Sequence, residues 1–461
     1  MGTTAVSLEK RTNKVNITNK QFLMFIFKTS LPLIIQNVFM QSLDFLDQVM
    51  VSSLGTKEIA AIGVCTKIVS MYFAALYGGG SGSAFFLNQY YGKDDTKNYR
   101  RMFGVNVSFC MLASICMAVL VFAFPTQIMR LFNSDPVVVG SGVRYFRVAG
   151  FAYLFCGITF PISYALKGMG YVKQTLTVTV VSIVTNVVLN YIFIFGPFGL
   201  PSFGVMGAAM GTVFSRLLEF LCYIVWIYKT RFELLKFGKD MFRLTKKRVA
   251  EYLKRVLPLI FNEIMWSAGF TVYFIIYGRR STDALSAISI MNTMLMVSKL
   301  ILGGFSGASQ IALGRALGRR EDELVDWYVK RFVFIALIVG IVTASLMIAI
   351  STPLLSIYGI VGTQTGVYVK QCMMVLAAYA LLDSLTSINV EGFFRVAGDT
   401  NFIAFIDMGS VWIIGVTFTF VTGILLQLPV AAMFCAVVVT EIYKLPIIYH
   451  RLASKKWIHY A

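Results

Sequence analysis

The chain has 461 residues, 57% of them hydrophobic and only 14% charged, with a mean hydropathy of +0.74. A water-soluble fold this apolar could not cover its own surface, whereas lipid accepts apolar faces, so the composition excludes a soluble enzyme and implies an integral membrane protein. The net charge of +19 and isoelectric point near 9.6 do not indicate nucleic acid, because the basic residues are scattered through short segments between apolar runs.

Residues 1–28 are largely polar and basic, with no apolar run followed by a cleavage site, so they are read as a cytoplasmic N-terminal segment rather than a signal peptide. Twelve apolar runs follow, near 29–52, 58–88, 102–124, 138–165, 175–196, 206–228, 256–278, 284–313, 331–353, 365–393, 402–426 and 429–450. Each exceeds the ~20 residues a helix needs to cross hydrocarbon. With the N-terminus inside, inner segments hold about 30 of the 41 Lys and Arg, and the outer loops hold Lys57, Arg130, Arg279 and Arg280; this bias places both termini in the cytoplasm. Residues 229–255 form the longest inner connection and carry ten basic residues. They are read as a linker, lying against anionic headgroups or simply solvated, between an N-lobe at 29–228 and a C-lobe at 256–450. Residues 451–461 are then a cytoplasmic tail. Seven cysteines lie inside the apolar runs without any CxxC spacing and read as small core hydrophobes. Glycine clusters at Gly78–Gly82 and Gly303–Gly307 suit close helix contact or a bend.

The two lobes repeat each other. Pro32-Leu33-Ile34-Ile35-Gln36-Asn37 returns 226 positions later as Pro258-Leu259-Ile260-Phe261-Asn262-Glu263. The same offset takes Ala60-Ala61-Ile62 to Ser286-Ala287-Ile288 and Gly92-Lys93-Asp94-Asp95 to Gly318-Arg319-Arg320-Glu321. Both copies run in one direction. The expected fold is an all-α integral membrane protein of twelve transmembrane helices in two six-helix lobes related by a parallel internal repeat, an architecture found in transporters.

The chemistry is carried by acids. The two histidines sit in the tail, and no phosphate-binding GxxxxGK[ST] loop or Cys/His metal spacing occurs, so neither an ATP-driven step, a cofactor nor a metal centre is expected. An unpaired charge in the bilayer costs at least ~2.5–3.5 kcal/mol, so acids there are functional or paired. Asp44 and Asp47 lie three apart in span 1, on adjoining parts of one face, where two close carboxylates favour a proton or cation; a salt bridge of Asp47 to Lys67 is the structural alternative. Asn186 and Asn190, one turn apart in span 5, are placed to complete that locus or to bond helices together. Glu263 and Asp383 lie in spans 7 and 10, and Tyr273 occupies the repeat position of Asp47, so the lobes are not chemically equivalent. Glu219, Glu391, Asp407 and Glu441 read as local ion pairs, and Lys299 and Lys370 as snorkelling or internally paired. The abundant Phe, Tyr and Met suit flat lipophilic cations.

These stretches resemble the multidrug and toxic compound extrusion (MATE) transporters. The resemblance rests on Asp47-Gln48-Val49-Met50-Val51-Ser52-Ser53-Leu54-Gly55 with Ala60-Ala61, on Leu166-Lys167-Gly168-Met169-Gly170, and on Asn186-Val187-Val188-Leu189-Asn190 through Gly196 and Gly204 to Ala209. It implies a two-lobe antiporter in the cytoplasmic membrane, exporting organic, typically cationic compounds in exchange for H⁺ or Na⁺. Asp47 then matches the ion-coupling aspartate of span 1, and Asn186 and Asn190 match the span-5 pair. Many members carry Asp where Asn190 stands, and Asp44 is placed to compensate. Glu263 and Asp383 look like the C-lobe acids of the subgroup described as Na⁺-coupled, a Na⁺ site if one exists. The expected partners are a small-molecule substrate and membrane lipid, with the chain a monomer and no nucleic acid involved. A lipid-linked precursor flippase would want a basic cleft where these candidates are acidic. An integral-membrane lipid transferase would want His or paired acids at the interface. A major-facilitator symporter would carry a Gly-x-x-x-Asp-Arg pattern that the 2–3 loop lacks.

Overall fold

The computed structural model describes residues 18–199, 201–230 and 232–461, with the side chains of Asp44, Phe45, Gln48, Ser52 and Phe198 outside the description. Among the described residues twelve helices are long and apolar enough to span a bilayer. They are α1 (Asn19–Ser52), α2 (Thr56–Gly92), α3 (Thr96–Ala123), α4 (Pro136–Gly168), α5 (Val172–Phe195), α6 (Val205–Lys229), α7 (Lys246–Arg280), α8 (Thr282–Arg319), α9 (Asp322–Ile357), α10 (Gln364–Ala397), α11 (Thr400–Leu425) and α12 (Val430–Ala453). Several run past the apolar stretch that marks them in sequence. α1 starts at Asn19 rather than near 29, and α7 starts at Lys246 rather than near 256. Helical hydrogen bonding continues after hydropathy falls, because a polar turn outside the hydrocarbon is still a good helix. Phe22, Phe25 and Ile26, at helical spacing, are buried, while Leu23, Met24 and Phe27 between and beside them are exposed.

Local signals set the breaks. Asp95 caps α3, its carboxylate accepting from the Asn98 backbone N–H at 3.0 Å, and Ser281 caps α8 through Ala284 N–H at 3.0 Å. A short helix over Pro125–Phe132, which the hydropathy runs do not reveal, begins with its proline in the first turn, where the missing N–H costs nothing. α10 and α11 widen into π-helical turns at Ile388–Phe394, Gly409–Val416 and Val421–Leu425.

The described residues divide into two compact units, Leu31–Val256 and 18–30 with Leu257–Ala461. The linker belongs with the first. The second unit includes the start of α1, where the Phe22 ring meets Trp327 edge-on at 5.0 Å and Phe332 at 5.3 Å. In the first unit α4 packs on α2, α3 and α6; in the second α10 packs on α8, α9 and α12. The pairings are those of one six-helix plan used twice. The repeat extends to the backbone: Asp94 and Arg320, 226 apart, both adopt φ 57° in the turn that starts the third helix of their unit. The cores are of the expected kind, with Tyr72, Cys110, Met129, Phe146 and Tyr153 in the first unit and Tyr277, Met291, Met347, Cys372 and Met433 in the second. Cys116 departs from the cysteine reading, since it is exposed on α3.

Candidate functional site

Helix spacing brings the span-1 and span-5 candidates of the first unit together. Asp47 on α1 accepts a hydrogen bond from Asn190 Nδ2 on α5 at 2.7 Å. The same Nδ2 donates to Asn186 Oδ1 at 3.0 Å, one turn back along α5. Asn186 Nδ2 in turn donates to Ser215 Oγ on α6 at 3.3 Å and approaches Thr212 Oγ1 at 3.5 Å. Asn186 and Asn190 are buried, while Asp47 is half-buried. Asn190 reaches this position because α6 offers Gly211: a Cβ there would collide with Asn190 Oδ1 and stand 3.0 Å from its backbone N. Asn190 Oδ1 is buried and finds no hydrogen-bond donor among the described residues. A carboxylate is thus joined through two amides to hydroxyls on a third helix. The arrangement can hold a proton on Asp47, and an amide that turns over changes from donor to acceptor when it does. The side chain of Asp44 lies outside the described residues.

In the second unit Glu263 and Asp383 are each held by a different base. Arg395 Nη2 lies 3.3 Å from Glu263 Oε1. Lys299 Nζ lies 2.7 Å from Asp383 Oδ1 and donates to Ser387 Oγ at 3.1 Å. Two weaker candidates form a third cluster: Lys444 Nζ lies 2.7 Å from Glu441 and 3.6 Å from Asp407, and Asp407 accepts from Asn262 Nδ2 at 3.2 Å. Glu441 also accepts a hydrogen bond from Thr386 Oγ1. Tyr273, at the repeat position of Asp47, lines an apolar pocket with Phe270, Phe274, Tyr277 and Phe434. Among the described residues no group of three His, Cys, Asp or Glu side chains is placed to hold a metal ion.

The sequence profile of MatE matches residues 32–192 and 258–421, one copy in each half. The chain belongs to the MatE family. Its relatives include the "Uncharacterized transporter YisQ" of Bacillus subtilis (strain 168), 23% identical, with 94% of each chain covered. "Probable multidrug resistance protein YoeA" of the same organism is 24% identical over 85% of this chain and 84% of its own. Among solved structures, a crystal structure of MATE in the straight conformation superposes with a TM-score of 0.84 at 16% identity, covering 93% of this chain and 96% of that one; at that identity the likeness shows the fold. As a MatE protein the chain is a multi-pass membrane transporter of small molecules rather than an enzyme.

Within this MatE fold, sequence reasoning missed Thr212 and Ser215, which continue the amide chain onto α6. Their signal was present, since Gly211-Thr212 and Ser215 put small and hydroxyl residues on one face of span 6. It also missed the bases. Lys299 reads from sequence only as snorkelling or internally paired, and Arg395 lies four residues from Glu391, yet each meets an acid on a different helix. Arg216 does pair with Glu219 at 2.7 Å as local spacing suggests.

Proposed function

We propose that this MatE protein is a proton-coupled antiporter that exports organic, cationic compounds from the cytoplasm across the cell membrane, working as a monomer with both termini inside. The observation that carries the reading is the hydrogen bond from Asn190 Nδ2 to Asp47 Oδ1 at 2.7 Å, which joins one carboxylate to amides and hydroxyls on α5 and α6. The names of YoeA and of "Multidrug resistance protein MdtK" from Yersinia enterocolitica, 24% identical over 86% of both chains, support drug-like cargo.

Ionised Asp47 accepts from Asn190, and Asn190 and Asn186 pass that polarity to Ser215. A proton arriving from outside turns Asp47 into a donor, for which the unpartnered Asn190 oxygen is the complement after the amide turns over. The two charge states therefore favour different hydrogen-bond directions across α1, α5 and α6. Coupling requires that proton and cargo differ in affinity for two conformations of the carrier. Protonation that lowers affinity for a cation in the outward-open state supplies that difference, since it removes a negative charge. A proton is favoured over Na⁺ because Asn190 presents an N–H donor to Asp47 at 2.7 Å, where a metal ion wants oxygens.

The test is uptake of a fluorescent lipophilic cation into inverted vesicles under an imposed pH gradient and, separately, a Na⁺ gradient. The proposal expects the pH gradient alone to drive wild-type uptake and Asp47→Asn to abolish it at equal expression. Uptake driven only by Na⁺, or retained in Asp47→Asn, contradicts it.

A further inference from the structure

Asp383 is 1% exposed, and a carboxylate taken that far from water needs a cation or a proton. Its Oδ1 accepts from Lys299 Nζ at 2.7 Å and from Ser387 Oγ at 2.9 Å. Lys299 also donates to Ser387, closing a small triangle. Asp383 Oδ2 has no hydrogen-bond partner among the described residues. The other titratable groups around Lys299 are Tyr379, Glu391, Glu441 and, paired with Glu441 at 2.7 Å, Lys444. Hard oxygen donors dominate, a ligand set suited to a small hard cation.

The internal repeat closes the corresponding crossing of the first unit without an ion pair. With one inserted residue, Gly157 of α4 aligns with Ser384 of α10. The contact confirms the register: Gly157 packs against Ser114 of α3, and Ser384 packs against Gly340 of α9. In that register Asp383 corresponds to Cys156, Ser387 to Phe160 and Lys299 to Phe73. In the first unit Phe73 and Phe160 close the crossing ring to ring at 6.1 Å, and Cys156 is buried beside them. One helix crossing is thus sealed by hydrocarbon in one unit and by charge in the other. Buried ion pairs are often replaceable by apolar groups without loss of stability, and here the molecule contains the apolar version itself.

We propose that Lys299 is a built-in counter-ion occupying, at Asp383, the seat of a free monovalent cation. A flexible stem carrying a compact ammonium with three donors is the protein side chain closest to such an ion. Held there, it keeps Asp383 charged without an external ion and leaves ion exchange to Asp47. The place of Lys299 in a transport cycle rests on the antiport reading above; the cation seat itself does not.

The experiment measures thermal unfolding of the purified full chain in detergent, with NaCl compared against N-methyl-D-glucamine chloride at equal ionic strength. A ligand that binds only the folded state raises the melting temperature with its concentration. Wild type is expected to be indifferent to Na⁺. Lys299→Ala, and independently Lys299→Met, are expected to melt lower and to be restored by Na⁺ in a saturable manner. The added change Asp383→Asn removes that response, and Lys299→Arg behaves as wild type. The apolar replacement Lys299→Phe with Asp383→Cys, copied from the first unit, folds and ignores Na⁺. A wild type already stabilised by Na⁺ through Asp383 overturns the proposal, as do Lys299→Ala and Lys299→Met proteins that fold but gain nothing from Na⁺. Collapse of the Phe/Cys variant also overturns it, because the pair would then be structural. The readout involves no transport, and the Na⁺ response of Lys299→Ala persists in an Asp47→Asn background, so failure here and failure of the antiport reading are separable.

Discussion

Asn190 is fully buried, yet its amide oxygen finds no donor among the described residues while its nitrogen serves Asp47 and Asn186. That imbalance gives Asp47 a neighbour able to answer a change of charge. Gly211 makes the position possible, so Gly211→Ala drives a methyl into Asn190 at an overpacking cost of about 1–3 kcal/mol. The expected result is a protein that inserts normally but exports poorly, measured as dye efflux against surface expression; unchanged efflux would mean Asn190 need not sit where it does. At this scale the sequence was informative where residues share a helix. Asn186 and Asn190 are four apart, and that spacing alone puts both amides on one face. The partners of Glu263 and Asp383 were hidden because Arg395 and Lys299 come from helices 132 and 84 residues away.

Among the elements, the linker shows best what hydropathy cannot. Ten basic residues between two spans read equally as a lipid-facing or a solvated strand of chain, yet much of it is fastened to α3. Arg100 binds both oxygens of Asp240, at 2.7 and 3.0 Å, and donates to the carbonyls of Lys236 and Glu233. The Met241 carbonyl packs onto Gly104, and Leu235 and Met241 are fully buried. Lys239, Arg243, Lys246 and Lys247 remain exposed. Arg100→Ala is therefore expected to speed tryptic cleavage at those residues several-fold, read by gel, while leaving the rest of the chain intact. Acid should do the same. The Arg100 guanidinium holds the Asp240 carboxyl down at about 2, so the clamp is complete above the ordinary carboxylate range near pH 4 and is lost as pH falls through about 2. An acid-stable protease such as pepsin, applied at pH 4 and at pH 2, reads this as faster cutting of the linker at the lower pH in wild type. In Asp240→Asn, cutting is already fast at pH 4. The spans themselves were legible because apolar runs of this length have one stable form in lipid. Their ends were not, because polar helical turns beyond the membrane leave no hydropathy signal.

For the whole molecule, the repeat is the organising fact, and it survives in atoms where the residues have changed. Gln36 Nε2 donates to Thr179 in the first unit at 2.7 Å; in the second, Asn262 donates to Asp407 at 3.2 Å between the corresponding helices. Ser114 against Gly157 becomes Gly340 against Ser384, with the small and the larger partner exchanged. Gly157→Ser alone is expected to destabilise the first unit by about 1–3 kcal/mol through overpacking. Adding Ser114→Gly should recover part of that, seen as positive coupling in a double-mutant cycle on thermal unfolding. Additive effects would show that the two contacts are not equivalent. Direct repetition gave the twelve-helix, two-lobe plan from sequence alone. It could not say which acids meet bases, because that depends on contacts between helices: an amide lies beside Asp47 in one unit, and bases lie beside Glu263 and Asp383 in the other. The central claim is that Asp47 carries the proton exchanged for cargo. The most direct measurement is proton release on adding a lipophilic cation to detergent-purified protein in weak buffer with a pH-indicating dye. Wild type is predicted to release protons saturably as cargo binds, and Asp47→Asn to bind cargo without release; undiminished release from Asp47→Asn would contradict the account.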